Sequence, residues 1–292
     1  MRKVLGTIWR VISAPFRFIA RIIRKIVHWL RSTFSRVKHF LTYEEEDTPL
    51  PDAFAKSIEN PQGIFYHLFE FRKHVMRAVL ALIIASAISF VFIQPIMGYL
   101  ARPLEGGLSE LQAIDVTENV STVMKVTLLS GFTFALPYIV FELWLFAAPG
   151  LKVRSRLKAL IAIPVAAILF VVGLSFAYFV MLPAALPFLL DFMGLSTVPR
   201  PSSYFNFVTR ISFWIGLAFE LPLLSYILAD LGILKADQLL AQWRLAIVII
   251  AVLAAAITPT IDPFNMALVM GPMILLYFLS IGLAYFAQRG RA

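Results

Sequence analysis

From residue 75 onward the chain alternates between long apolar stretches and short polar ones. The apolar stretches run Val75–Tyr99, Val123–Phe146, Ala159–Leu182, Phe207–Leu231, Trp243–Ile257 and Met266–Ala287. A helix rises about 1.5 Å per residue, so about 20 apolar residues cross the ~30 Å hydrocarbon core of a bilayer. Inside lipid every backbone polar group must bond within its own segment, so an apolar stretch of this length is a helix. The pattern predicts an all-α polytopic membrane protein with six transmembrane helices. The fifth stretch reaches only ~22 Å at helical rise. A span shorter than the core tends to thin the bilayer locally.

Residues 1–47 follow a different rule. A basic residue recurs at every seventh position: Lys3, Arg10, Arg17, Arg24, Arg31 and Lys38. Seven residues are nearly two turns, so these charges form one stripe on a helix. Arg21 and Lys25 widen it, and apolar residues such as Trp9, Ile12, Phe16, Ile19, Ile23, Ile26 and Trp29 fill most of the remaining surface. The segment has no uncharged run long enough to span, and reads as a basic amphipathic interfacial helix interrupted near Pro15. A mitochondrial presequence and a dimerising coiled coil have the same look and stay open. Residues 48–66, after the acidic run Glu44–Asp47 and with Pro49 and Pro51, read as a linker. Residues 67–288 hold the six-helix membrane domain.

Charge refines this picture. The formal net charge is +9. Residues 1–47 hold ten Lys/Arg against four acids, a net +6, and the rest holds sixteen against thirteen, a net +3. Excess charge on the appendage points to membrane lipids, not to nucleic acid. Loop charges orient the bundle. Arg72, Lys73, Arg77, Lys152, Arg154, Arg156, Lys158, Lys235, Arg244, Arg289 and Arg291 fall on one side. The other side holds Arg102 and Arg200, with Lys125 and Arg210 at helix ends. This predicts a multi-pass protein of the cytoplasmic membrane with both termini cytoplasmic. The other side's loops, about 101–122 and 183–204, are the longer ones and are expected to cap the bundle with short helices.

Composition leaves little for catalysis. The chain is 60% hydrophobic with mean hydropathy +0.83, above the ~45–50% apolar content of soluble domains. It has no Cys, so disulfides, thiolate catalysis and Cys-based metal sites are absent. All four His (His28, His39, His67 and His74) precede the first apolar stretch. There is no HExxH, GxSxG or phosphate-binding Gly-rich loop, so neither an enzyme nor a cofactor is implied.

One residue stands out chemically. Glu220 is the single carboxylate within the run Ile211–Leu228, ten residues from Arg210 and ten from Asp230. That puts it about 15 Å from each charge, near mid-membrane. An ionised side chain there costs at least ~2.5 kcal/mol, and such groups face a protein cavity and a polar partner. Two roles are open: a functional contact, or a hydrogen bond that only holds the bundle together.

Several motifs now converge. HLFEFRKH (67–74), FELWLFAAPGL (141–151), SFAYFVMLPAALPFL (175–189), SYFNFV (203–208), FELPL (219–223) and TPTIDPF (258–264) occur in this order at the expected spans. Together they resemble the TatC family, signal-peptide receptors of the twin-arginine protein translocase, from roughly His67 to Tyr285. The resemblance implies a concave, cup-like bundle, N-in/C-in, that binds twin-arginine signal peptides of folded proteins. It implies TatA/TatB-type single-span subunits as partners, within a complex that holds several copies.

The resemblance also implies site residues. Glu70 matches the family's first arginine-contacting glutamate; read from the residues alone, it is a helix N-terminal acid pairing with Arg72 or Lys73. His67, Arg72 and Phe146 lie in the two motifs flanking that entrance. The family's second carboxylate falls, counting on from Pro149-Gly150-Leu151, at Ser155. Glu142, two turns deeper, or the Glu44–Asp47 cluster would have to replace it. Glu220, Asp262 and Met266 match positions that meet the partner helix, Met266 standing where the family usually has Gln. Asp262 reads independently as a cap for the sixth helix. A different class is a proton-coupled small-solute transporter with Glu220 as relay. No internal repeat supports it, and Glu220 has no ionisable partner at mid-depth.

Overall fold

A computed structural model describes residues 61–289, apart from 105, 116, 149–152, 193–194 and 259–261; for 61–67, 153–155, 157, 192 and 195–196 it describes the backbone alone. The expectations for residues 1–60, including the basic stripe and the acidic run, lie outside the described residues. The described residues belong to one compact unit.

The described chain is helical except for one two-residue ladder. Helix α1 spans Pro61–Val91, and α2, Ile93–Leu100, continues it beyond a break at Phe92. Then come a single 3-10 turn at Gly107–Glu110, α3 (Glu118–Ala147) and α4 (Val153–Phe176). A widened π turn at Ala177–Met181 leads into α5 (Leu182–Leu190). The wide turn directly precedes Pro183, whose missing N–H interrupts the helical ladder. Strands β1 (Asp191–Phe192) and β2 (Leu195–Ser196) pair antiparallel. The fourth span is α6 (Pro201–Ala218) followed by α7 (Leu221–Asp230). Short α8 (Ala236–Ala241), α9 (Trp243–Ile257) and α10 (Pro263–Arg289) complete the order.

Five of these stretches are long and apolar enough to cross a membrane, and α9 is a shorter sixth. The helices outrun their apolar cores. The third span continues to Leu190 instead of Leu182, and the fourth starts at Pro201 instead of Phe207. Hydropathy reports only the part of a helix that needs lipid; Pro201 at the first helical position starts α6 well before its sequence turns apolar. The connections 101–117 and 191–200 are correspondingly shorter than expected. They carry the single 3-10 turn and the small ladder where capping helices were expected, and Gln112 N–H donates to the Pro199 carbonyl at 3.3 Å between them.

Contacts fix how the helices run. His74 meets Glu142, and Ser86 lies against Gly131, so α1 and α3 are antiparallel. Gly173 lies against Gly216, and Lys158 meets Asp230 at 2.6 Å, so α4 runs antiparallel to α6–α7. A Cβ on Gly173 would lie 2.8 Å from the Gly216 Cα, so the two backbones meet where no side chain fits. Ser202, Asn206 and Phe213 of α6 meet Glu118, Lys125 and Phe132 of α3, so these two helices are parallel. Tyr285 donates to Asp237 of α8, while Phe264 at the start of α10 stacks on Phe188 of α5 at 4.7 Å. The chain therefore crosses six times, and α1 begins at the end of the bundle where α10 finishes.

The core follows from the same arrangement. Phe205, Val208, Ile211 and Ile215 of α6 are buried among Met181, Leu182, Ile257 and Val269 from α4–α5, α9 and α10. Hydroxyls inside the apolar helices bond back to carbonyls four residues earlier, as Thr122, Thr133, Ser175, Thr209 and Ser280 do.

Candidate binding sites at one end and at mid-depth

The end where α1 begins concentrates polar chemistry. Glu142, four residues before the end of the α3 motif's aromatic Phe146, is almost fully buried, yet both its oxygens are engaged. Tyr138 O–H, one turn earlier on α3, donates to Oε1. His74 Nδ1 of α1 lies 2.6 Å from Oε2. Arg77 Nη1, on the same face of α1, approaches Oε2 at 3.7 Å and is partly exposed. Residues three and four apart share a helix face, so Glu70, His74 and Arg77 form one line along α1. Glu70 is the outermost of the three. It is half-buried and, among the described residues, makes no hydrogen bond or ion pair. Pairing with Arg72 or Lys73 was one expectation; neither pair forms, and both basic residues are exposed.

Aromatic rings lie beside these groups. Phe146 lies 5.1 Å from the Phe71 ring and 6.2 Å from the His74 ring, centroid to centroid. Trp144 Nε1–H donates to the Arg156 carbonyl at 3.1 Å, tying the end of α3 to the first turn of α4. His67 lies on α1 one turn before Phe71, and Ser155 lies in the first turn of α4. Phe146 and the Glu142 network thus meet α1 at Phe71, His74 and Arg77, with Glu70 one turn before His74 on the same helix. His74, Tyr138 and Arg77 were missed as site residues. Tyr138 stands four residues before Glu142, a local signal that could have found it, whereas His74 is 68 residues away on another helix and leaves none.

Glu220 sits at a second place. It is the residue on which the fourth span breaks: Glu220 N–H bonds back only three residues, to Leu217, and α7 starts at Leu221 with Pro222. Pro222 has no N–H to give the Ala218 carbonyl, which loosens the ladder here. The sequence suggested one continuous span, and Pro201–Asp230 is one, with a local irregularity at Phe219–Glu220 where the backbone angles stay helical. Glu220 is buried, and its Oε1 has no hydrogen-bond partner among the described residues. Its neighbour Phe219 packs on Phe176 at 5.7 Å and near Gly173.

Asp262 and Met266 lie on the far side of the bundle, at the start of α10. Asn265 N–H and Nδ2 donate to the two Asp262 oxygens at 2.7 and 2.9 Å, and Met266 N–H donates to its carbonyl at 3.1 Å. That is N-cap geometry, with Pro263 at the first helical position. Met266 is half-buried against the main core. The Asn265 Oδ1 has no partner despite burial. Among the described residues no cluster of His, Cys, Asp or Glu has metal-ligand spacing.

Five long apolar helices and a shorter sixth, with acid and aromatic side chains gathered at one end and a buried carboxylate at mid-depth, define a polytopic membrane protein. The comparisons narrow this. The family described as Sec-independent protein translocase protein (TatC) matches residues 66–272. The TatC protein of Carboxydothermus hydrogenoformans is 36% identical over 232 residues, covering 79% of this chain and 96% of that protein. That of Deinococcus radiodurans is 37% identical, covering 76% and 85%. A crystal structure of the twin-arginine translocase receptor TatC aligns with a TM-score of 0.68 at 31% identity, covering 76% of this chain and 100% of that one. The chain belongs to the TatC family: it is a component of the twin-arginine, Sec-independent protein translocase and not an enzyme. The small-solute transporter alternative falls with that assignment.

Proposed function

We propose that this chain is the signal-peptide receptor of its translocase. Twin-arginine peptides bind where the start of α1 meets the end of α3, with Glu70 pairing one arginine. The carrying observation is Glu70 itself: a half-buried carboxylate that has no hydrogen-bond or ion-pair partner among the described residues, with exposed Arg72 and Lys73 following it on α1. An arginine fork pairs bidentately with a carboxylate, and such charge-assisted bonds contribute about 1.5–3 kcal/mol. Arg72 and Phe146 stand at the same entrance, His67 is the α1 position one turn before Phe71, and the peptide's apolar residues pack on the Phe71–Phe146 pair. Ser155 offers a hydroxyl where the family's second carboxylate falls. Glu142 contributes from below: it holds His74 in place, and an incoming arginine reaches it only by displacing Arg77, the loosest of its partners at 3.7 Å.

TatA/TatB-type single-span subunits dock elsewhere, with Glu220, Asp262 and Met266 as contacts. The unpartnered Glu220 Oε1 supplies a polar group that a membrane helix with an amide or hydroxyl would match. The assembly contains several copies of the chain. It lies in the cytoplasmic membrane with both termini cytoplasmic. In support, the end where α1 starts and α10 stops carries Arg72, Lys73, Arg77, Lys158, Lys235 and Arg289. Residues 1–47 lie on the lipid surface, 48–66 link them to the bundle, and 67–288 form the membrane domain.

Site-specific photocrosslinking at positions 70, 142 and 155 tests this, using a twin-arginine peptide beside its twin-lysine control. Crosslinks at 70 that depend on arginine and weaken at least about tenfold elsewhere in the E70Q background are expected. Equal labelling by both peptides would overturn the receptor reading.

A further inference from the structure

Among the described residues, two cations on the seam between α3 and α6 have no counter-charge. Lys125 Nζ donates to Asn206 Oδ1 at 2.6 Å, a neutral partner. Arg210 lies one turn further along α6, on the Asn206 face. It is exposed and, among the described residues, has no hydrogen-bond or ion-pair partner. The nearby carboxylates are committed or distant. Glu118 accepts from Ser202 N–H at 3.0 Å and Ile114 N–H at 3.2 Å, and from the Ser202 hydroxyl. Glu220 lies ten residues beyond Arg210, about 15 Å along the helix.

Their level in the bilayer follows from the opposite end of the same span. Asp230, paired with Lys158, lies twenty residues from Arg210, or about 30 Å, one hydrocarbon thickness. Arg210 therefore stands at the hydrocarbon edge nearest the 101–117 and 191–200 connections. Both helices continue past the cations to the Glu118–Ser202 contact. On the other side of them the surface is apolar and exposed: Leu128 on α3, Trp214 and Leu217 on α6. Cations in such a position are stable only with an anion or water in reach, and long basic side chains snorkel to the headgroups.

We propose that Lys125, Asn206 and Arg210 form a binding site for an anionic phospholipid of the leaflet at that end. The arginine fork and the lysine ammonium hold the phosphate, and the acyl chains lie on Leu128, Trp214 and Leu217. The headgroup level of Arg210 favours a lipid over a carboxylate on a neighbouring membrane helix, which would have to hold its charge within hydrocarbon. The site does not depend on the receptor reading, since it lies at the other end of the bundle.

The test reconstitutes the full chain in phosphatidylcholine bilayers containing a photoactivatable phosphatidylglycerol or its phosphatidylcholine analogue, and maps crosslinks by mass spectrometry. Phosphatidylglycerol should label 120–128 and 206–217 preferentially, and K125Q/R210Q should lower that labelling on the order of tenfold. K125R/R210K should retain it, which separates lost charge from lost folding. R102Q, which removes a cation stacked 5.1 Å over Tyr99, should leave it unchanged. Equal labelling by the two lipids, or no loss in K125Q/R210Q, overturns the proposal. Crosslinking of these segments to a co-purifying membrane helix in place of lipid overturns it in favour of a protein carboxylate.

Discussion

A carboxylate surrounded by lipid-facing helices is stable only when its oxygens find donors, and Glu142 meets that condition fully. Tyr138, His74 and Arg77 together saturate it. Replacing it by glutamine keeps the shape but removes the charge that His74 and Arg77 share. E142Q should lower stability by about 1–3 kcal/mol, discounted for the partial exposure of Arg77, and Y138F by about 1 kcal/mol. Thermal unfolding of the purified protein in detergent measures both. Unchanged stability in E142Q together with lost peptide crosslinking would instead make Glu142 a direct peptide contact. Glu220 meets the condition only in part, since one oxygen is left without a donor. Both carboxylates were visible in the sequence as acids among apolar neighbours. Which one is saturated was not, because the donors to Glu142 include a residue of another helix.

At the scale of the element, span length is the quantity with consequences. Helix α9 has 15 residues, about 22 Å, and it alone returns the chain between α8 and α10. Its boundaries are those that hydropathy suggested, because Gln242 and Thr258 leave helical geometry at its two ends. A short span stretches or thins the surrounding bilayer at a fraction of a kcal/mol per Å. Inserting one apolar turn after Ile250 adds about 5.4 Å and should relieve the mismatch. If local thinning assists transport, export of a twin-arginine reporter should fall about tenfold while signal-peptide crosslinking at 70 persists. Unchanged export would show that thinning plays no part. The other helices were legible in kind but not in extent. Polar first turns such as Pro201–Asn206 carry no hydropathy signal, and contacts such as Ser202 with Glu118 hold them in the helix.

At the scale of the whole molecule, the compact unit starting at Ala53 contains every site described above. The family match begins at residue 66 and the relatives cover about three-quarters of the chain. A chain starting at Ala53 should therefore insert, keep its unfolding temperature within about 2 °C and retain peptide crosslinking at 70. It should lose affinity for anionic vesicles, by about 1 kcal/mol for each basic residue removed from the surface. Collapse of the truncated chain would show that residues 1–52 belong to the fold.

The sequence by itself determined that there are six helical crossings, where their apolar cores lie and which acids sit among them. Lipid leaves the backbone no other way to satisfy its hydrogen bonds, so local composition decides the local structure. Tertiary structure alone decided which helices meet. That choice rests on small-residue contacts such as Gly173 with Gly216 and Gly131 with Ser86, and on polar pairs such as His74 with Glu142, Lys125 with Asn206 and Lys158 with Asp230. These partners lie 43 to 81 residues apart in the chain. Between equally apolar helices in lipid, close packing and a few hydrogen bonds are the terms that discriminate, and neither is written in the sequence of one helix alone.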